Sequence, residues 1–119
     1  MAVLRTSIEQ QDAELRISSG PRDGWLAISG EIDSWNVQSV RDALTAAHGK
    51  SGNLHVDVNR LLFCDVTGIR AMVVAAANLE NGRQLFLHGL EPQLQRVFRV
   101  VGWAGMPSFV IDGGGLDLG

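Results

Sequence analysis

Apolar and polar positions follow two periods along this chain, and the switches between them outline its elements. Glu14-Leu15-Arg16-Ile17-Ser18 alternates with the period of two of a half-buried strand. Gly20-Pro21-Arg22-Asp23-Gly24 is a turn into a second strand at 25–29, so the two read as an antiparallel pair. Gly30-Glu31-Ile32-Asp33 then breaks the strand, and Asp33 or Ser34 suits the cap of a helix in which Val37, Val40, Arg41, Leu44 and Ala47 recur at helical spacing before Gly49. A short strand at 54–58 is followed by an apolar exit loop at 61–64 and by a second helix at 69–79, which Asn81-Gly82 ends. Residues 84–88 supply another strand. Glu91-Pro92 opens a third helix whose stripe of Leu94, Val97, Phe98 and Val101 stops at Gly102, and a last strand spans 108–111. Strands alternating with helices predict an α/β architecture with parallel strands joined by right-handed crossovers.

Length and composition narrow the picture. At 119 residues the chain has room for one domain, and 45% hydrophobic residues are enough to build its core. The domain is expected over 13–112, between a polar lead at 1–12 and a Gly-rich tail at 113–119. A formal charge of −3, with Lys and Arg dispersed, argues against a nucleic-acid partner and for a protein one. The single cysteine, Cys64, cannot form an internal disulfide, which points to a reducing cytoplasmic setting. Residues 1–12 lack a signal-peptide core, and no segment approaches the ~20 apolar residues of a membrane span.

The chemistry concentrates in Asp65-Val66-Thr67-Gly68, between an apolar run and a strongly helix-forming segment. With Asp65 as cap, Val66 and Thr67 lie in the first turn of the second helix, beside unpaired N–H groups and the positive end of the helix dipole. A phosphate on Thr67 would bring about −1.5 to −2 charges there; the dipole would favour it and Asp65 would oppose it. Gly68 would leave backbone uncovered for another protein to approach.

These residues, with Gly30-Glu31-Ile32-Asp33, Asp57, the run Phe63-Cys64-Asp65-Val66-Thr67-Gly68-Ile69, Leu87-His88-Gly89-Leu90 and Val100-Val101-Gly102-Trp103, resemble the STAS domain family, specifically the bacterial single-domain anti-sigma factor antagonists. The resemblance covers residues 14–111. It implies a STAS fold, a four- or five-stranded mixed sheet with helices packed mainly on one side. It also implies a switch in which an anti-sigma factor serine/threonine kinase phosphorylates the hydroxyl before the glycine, here Thr67. The unphosphorylated form would bind the anti-sigma factor and free a sigma factor, and a separate phosphatase would restore it. A monomer or weak dimer in the cytoplasm is expected. The partner-facing residues are then Asp33, Asp57, Asp65, Val66, Thr67, Gly68, Arg70 and Met72. The family commonly carries a serine preceded by another serine where this chain has Val66 and a threonine. That departure supports an alternative, a sensor or scaffold module that binds a small ligand or a larger signalling assembly without phosphorylation.

Other chemistries have weaker support. Asp33, Asp57 and Asp65 could in principle converge on a magnesium ion, but each is also an ordinary cap or strand-exit acceptor, and neither metal nor cofactor is expected. His48, His55 and His88 lie on three different elements without ligand spacing. No nucleophile, base and orienting group form a set, and no glycines make a phosphate-cradling loop, so the chain is not expected to be an enzyme. The second helix is apolar nearly all round, which favours burial, with Arg70 and Met72 beside Thr67 as its partner-facing residues. Trp35 is expected to pack.

Overall fold

The computed structural model describes residues 14–20, 22–49, 52–100 and 106–112; the expected tails, Val101 and Gly102-Trp103 lie outside them. The elements run β1 (Arg16–Ser19), β2 (Trp25–Ile32), α1 (Val37–His48), β3 (Leu54–Asp57), β4 (Leu61–Cys64), α2 (Val66–Ala77), β5 (Leu85–His88), α3 (Pro92–Val100) and β6 (Phe109–Asp112). The strand order is β1-β2-β3-β5-β6, with β4 paired to β2 outside that path. Among the described residues only β1 and β2 pair antiparallel. The mixed sheet with three helices is the expected α/β fold, with six strands in place of four or five.

The additional strand comes from the length of β2. Gly30 does not break it: its φ of +91° is open to glycine, and the strand bends there and continues to Ile32. The first half of β2 pairs with β3, from Trp25↔His55 to Ala27↔Asp57. Its second half pairs with β4, from Gly30↔Leu61 to Ile32↔Cys64, across an irregularity at Gly30 and Glu31. The segment expected to be an exit loop is therefore a strand.

The crossovers from β2 to β3, β3 and β4 to β5, and β5 to β6 all step in one direction across the sheet. Right-handed connections that step one way place their helices on one face. The burial pattern agrees, because Leu26, Ile28 and Ile32 of β2, Leu54 and Val56 of β3, and Leu85 and Leu87 of β5 are buried, while the alternating residues stay half-exposed. Against that face pack Val37, Val40 and Leu44 of α1, Ile69, Met72 and Ala76 of α2, and Leu94 and Phe98 of α3. Arg41 is exposed, off the stripe it was grouped with. In α3 the inward position falls to Gln95, whose Nε2 donates to the Leu90 carbonyl at 3.0 Å, and Val97 is 42% exposed.

The opposite face carries a ladder of flat rings. Trp25 stacks on His55 at 4.5 Å and on His88 at 4.8 Å, and Phe86 lies 5.2 Å from His55. His55 Nδ1 and His88 Nε2 are 2.9 Å apart, a hydrogen bond in which one ring nitrogen is protonated and the other is not. Two of the three histidines separated in sequence thus meet across neighbouring strands.

The phase of α3 can be checked by substitution. Phe98→Ala should cost about 3–5 kcal/mol in urea denaturation, as expected for a buried aromatic, whereas Val97→Ala should stay within about 0.5 kcal/mol. Equal losses at the two positions would mean that the helix is rotated from the orientation described.

Candidate functional site

The site begins where β4 passes into α2 with a single residue between them. Asp65 is extended (φ −83°, ψ −177°), and its N–H donates to the Ile32 carbonyl at 3.0 Å, which fixes the junction to the end of β2. One carboxylate oxygen, Oδ1, accepts from Thr67 N at 2.9 Å, Gly68 N at 3.2 Å and Thr67 Oγ1 at 2.5 Å. Two of the orphan donors of the helix start and the threonine hydroxyl are satisfied at once.

A second loop closes over this carboxylate. Asp33 Oδ1 accepts from Trp35 N at 2.9 Å and Asn36 N at 3.2 Å, and Asp33 N donates to Asn36 Oδ1 at 2.9 Å. Asp33 thus folds residues 34–36 into a turn, and α1 starts only after it, so that Asn36 rather than the expected Asp33 or Ser34 is its flanking residue. The turn presents the Ser34 N–H to the Asp65 carboxylate. Burial pushes the Asp65 pKa up, but hydrogen bonds from the Thr67 hydroxyl and from the Gly68, Thr67 and Ser34 N–H groups outweigh it and hold the group below its ordinary value. The neighbouring Cys64 thiol moves the other way, to about 12, through burial and then through the Asp65 charge, and is inert as a nucleophile at neutral pH.

Gly68 serves packing. A Cβ built there would lie 2.5 Å from Cys64 Sγ and 2.7 Å from Ile32 Cγ2, so the missing side chain lets the first turn of α2 rest directly on β2 and β4. Its buried position replaces the expectation of backbone left open beside the hydroxyl. Met72 is fully buried in the core and presents nothing to a partner, while Arg70 and Val66 are exposed. Asp57 is also removed from the group. It pairs with Ala27, six residues before Asp33 on β2, or ~20 Å along the strand, and its Oδ1 accepts from Asn59 N at 2.9 Å. Asp33 and Asp65 are linked through the turn, whose Ser34 N–H reaches the Asp65 carboxylate; Asp57 does not join them, and among the described residues no three metal-ligating side chains gather.

Beside Val66, expected to face a partner, three further apolar side chains are exposed in the segments that flank Asp33 and Asp65. Trp35, expected to pack, is 94% exposed, and Leu62 is 64% exposed, with Phe63 and Val66 about half-exposed. The signal for Trp35 was its place inside an Asp33-nucleated turn, which leaves no helical face to bury it.

A family model described as "Mlab, STAS domain" matches residues 15–111. Anti-sigma-B factor antagonists of Listeria monocytogenes serovar 1/2a and Listeria innocua serovar 6a are each 32% identical over 79 residues, spanning 65% of this chain and 69% of the relative. The fold is similar to that of the Bacillus cell fate determinant SpoIIAA in its phosphorylated form, with a TM-score of 0.57 and 20% identity, covering 85% of this chain and 93% of that one. The anti-sigma factor antagonist SpoIIAA in its unphosphorylated form gives a TM-score of 0.60 at 20% identity, covering 85% and 90%.

Two substitutions probe the junction. Gly68→Ala should destabilise by about 1–3 kcal/mol through overpacking, in place of the usual gain of about 0.5–1 kcal/mol for glycine to alanine in a helix, and Cys64→Ala in the same chain should recover part of the loss. A stabilised G68A variant would show that the close approach is absent. Asp65→Ala should cost about 1 kcal/mol at neutral pH, the usual worth of a cap. Because the folded-state pKa lies below the unfolded one, the Asp65 contribution is complete above the unfolded value and fades as pH falls through the folded value. The stability difference between wild type and D65A should therefore shrink in acid, as thermal denaturation across pH would report.

Proposed function

The chain belongs to the STAS domain family, and from that membership we propose that it is an anti-sigma factor antagonist whose binding is switched by phosphorylation of Thr67. The observation that carries this reading is the Thr67 hydroxyl, seated in the first turn of α2 and donating to Asp65 Oδ1 at 2.5 Å. That bond aligns the hydroxyl and places a proton acceptor on it, as a phosphoacceptor needs. The Listeria relatives are anti-sigma-B factor antagonists and SpoIIAA is known in phosphorylated and unphosphorylated forms, which supports the same reading.

In this proposal the unmodified protein binds an anti-sigma factor kinase in the cytoplasm and so releases a sigma factor. The docking surface is the Asp33, Asp65 and Thr67 cluster with Val66 and Arg70, ringed by Trp35, Leu62 and Phe63. Exposed aromatics beside a polar centre are the composition of binding hot spots. The protein acts by binding, without turnover, and a phosphatase reverses the modification.

The test is incubation of the protein with ATP and the candidate kinase, followed by mass spectrometry and affinity measurement. Phosphate should map to Thr67 and be absent from Thr67→Ala. Thr67→Glu should weaken kinase binding at least about tenfold, or 1.4 kcal/mol, with an unchanged circular dichroism spectrum. A kinase that binds yet modifies another residue, or an unaltered affinity in T67E, would refute the switch.

A further inference from the structure

A trough of about 270 Å³ lies between α1 and α2, half open to solvent and away from the ring ladder on the other face of the sheet. Its walls are Leu44, Ala71, Val74 and Ala75, and Val74 is 50% exposed there. Arg41 and Arg70 stand over these walls. Each comes from the N-terminal half of its helix, whereas His48 and Asn78 from the two C-terminal ends meet through a 2.9 Å bond from His48 Nε2 to the Asn78 carbonyl. The trough thus has a cationic end and a closed polar end.

Among the described residues neither guanidinium is neutralised. Arg41 reaches only the neutral Gln38 Oε1, at 3.4 Å, and among the described residues neither Arg41 nor Arg70 is paired with a carboxylate. An apolar channel ending in two uncompensated arginines is complementary to a molecule with an apolar chain and one anionic head. Arginine suits a carboxylate head in particular, because its planar fork bonds both oxygens.

Size decides between a small molecule and a protein helix. From Arg41 to His48 the wall rises about 10 Å at 1.5 Å per residue, and an incoming helix is itself roughly 10 Å across with its side chains. The volume falls just below the range of drug-sized ligand sites, which begins near 300 Å³. We infer that the trough between α1 and α2 is a binding site for a small amphiphilic monocarboxylate, its chain along Leu44, Ala71 and Val74 and its head between Arg41 and Arg70. Nothing in this inference requires modification of Thr67, so it stands or falls separately from the switch.

Octanoate is the probe. Titrated into isotopically labelled full-length protein, it should cause saturable amide shifts at Leu44, Ala71, Val74 and Ala75, and uncharged octanol should bind at least about tenfold more weakly, as expected for loss of a charge-assisted pair. Arg41→Gln, at an exposed position, should remove most of that preference. Val74→Trp should fill the trough and abolish the shifts, with the circular dichroism spectrum confirming the fold. Absence of saturation, equal affinity for octanol, or binding that survives both substitutions would overturn the assignment, as would shifts at these residues that appear only when a protein partner is added.

Discussion

The carboxylate of Asp65 sits at a junction too short to be anything but rigid. Strand β4 ends at Cys64 and α2 begins at Val66, so one residue must turn the chain, satisfy the helix start and hold both to the sheet. Its N–H is committed to Ile32, its carbonyl receives Gly68 and Ile69, and one side-chain oxygen receives the Thr67 N–H and hydroxyl and shares the Gly68 N–H. With no slack in the linker, α2 must lie directly on the strands beneath it, and only glycine at 68 leaves room beside Ile32 and Cys64. The same constraint fixes the Thr67 hydroxyl, which has no freedom to turn away without giving up its bond to Asp65.

Much of this was legible in the sequence because it is local. The cap at Asp65, the first-turn position of Thr67 and the end of α1 at Gly49 follow from residue types within a few positions of each other, and the structure reproduces them, whereas the start of α1 falls at Asn36 rather than at Asp33 or Ser34. What escaped depends on pairing between distant segments. The run Leu61-Leu62-Phe63-Cys64 is four consecutive apolar residues, too short and too uniform to show the period of a strand or of a helix, and in sequence it reads as a loop. Gly30 looked like a terminator because nothing near it in sequence reveals that β2 has a second partner to continue towards.

The same fact accounts for Asp57. Two consecutive strands, β3 and β4, share β2 end to end, so residues at their two exits lie at different heights on the sheet although both look like strand-end aspartates. Conversely, His55 and His88, separated by 33 positions, are brought to a 2.9 Å contact by the register of β3 and β5. Met72 and Gln95 illustrate the helical version of the problem. Both helices offer several candidate faces, and the one that turns inward is selected by where the helix lands, with the Leu90 carbonyl providing the partner that makes a buried Gln95 tolerable.

The proposed switch has an energetic direction that follows from this arrangement. A helix N-terminus favours an anion by about 0.3–1 kcal/mol, and by roughly 2 kcal/mol at best. Two unit charges ~4 Å apart at an effective dielectric near 20 repel by about 4 kcal/mol, and a phosphate carries more than one charge. Repulsion from Asp65 therefore exceeds what the dipole returns, and a phosphate on Thr67 also removes the hydroxyl proton that Asp65 accepts. The strain is relieved most cheaply by moving the carboxylate, since α2 is pinned by Gly68 whereas the Asp65 side chain is only half-buried. Any such movement takes the acceptor away from the Ser34 N–H, while Asp33 and Asn36 continue to hold the turn that presents Trp35. A charge added at Thr67 therefore acts on the polar centre of the surface, displacing the Asp65 carboxylate and leaving the Ser34 N–H unmet, while the Trp35 turn beside it stays in place.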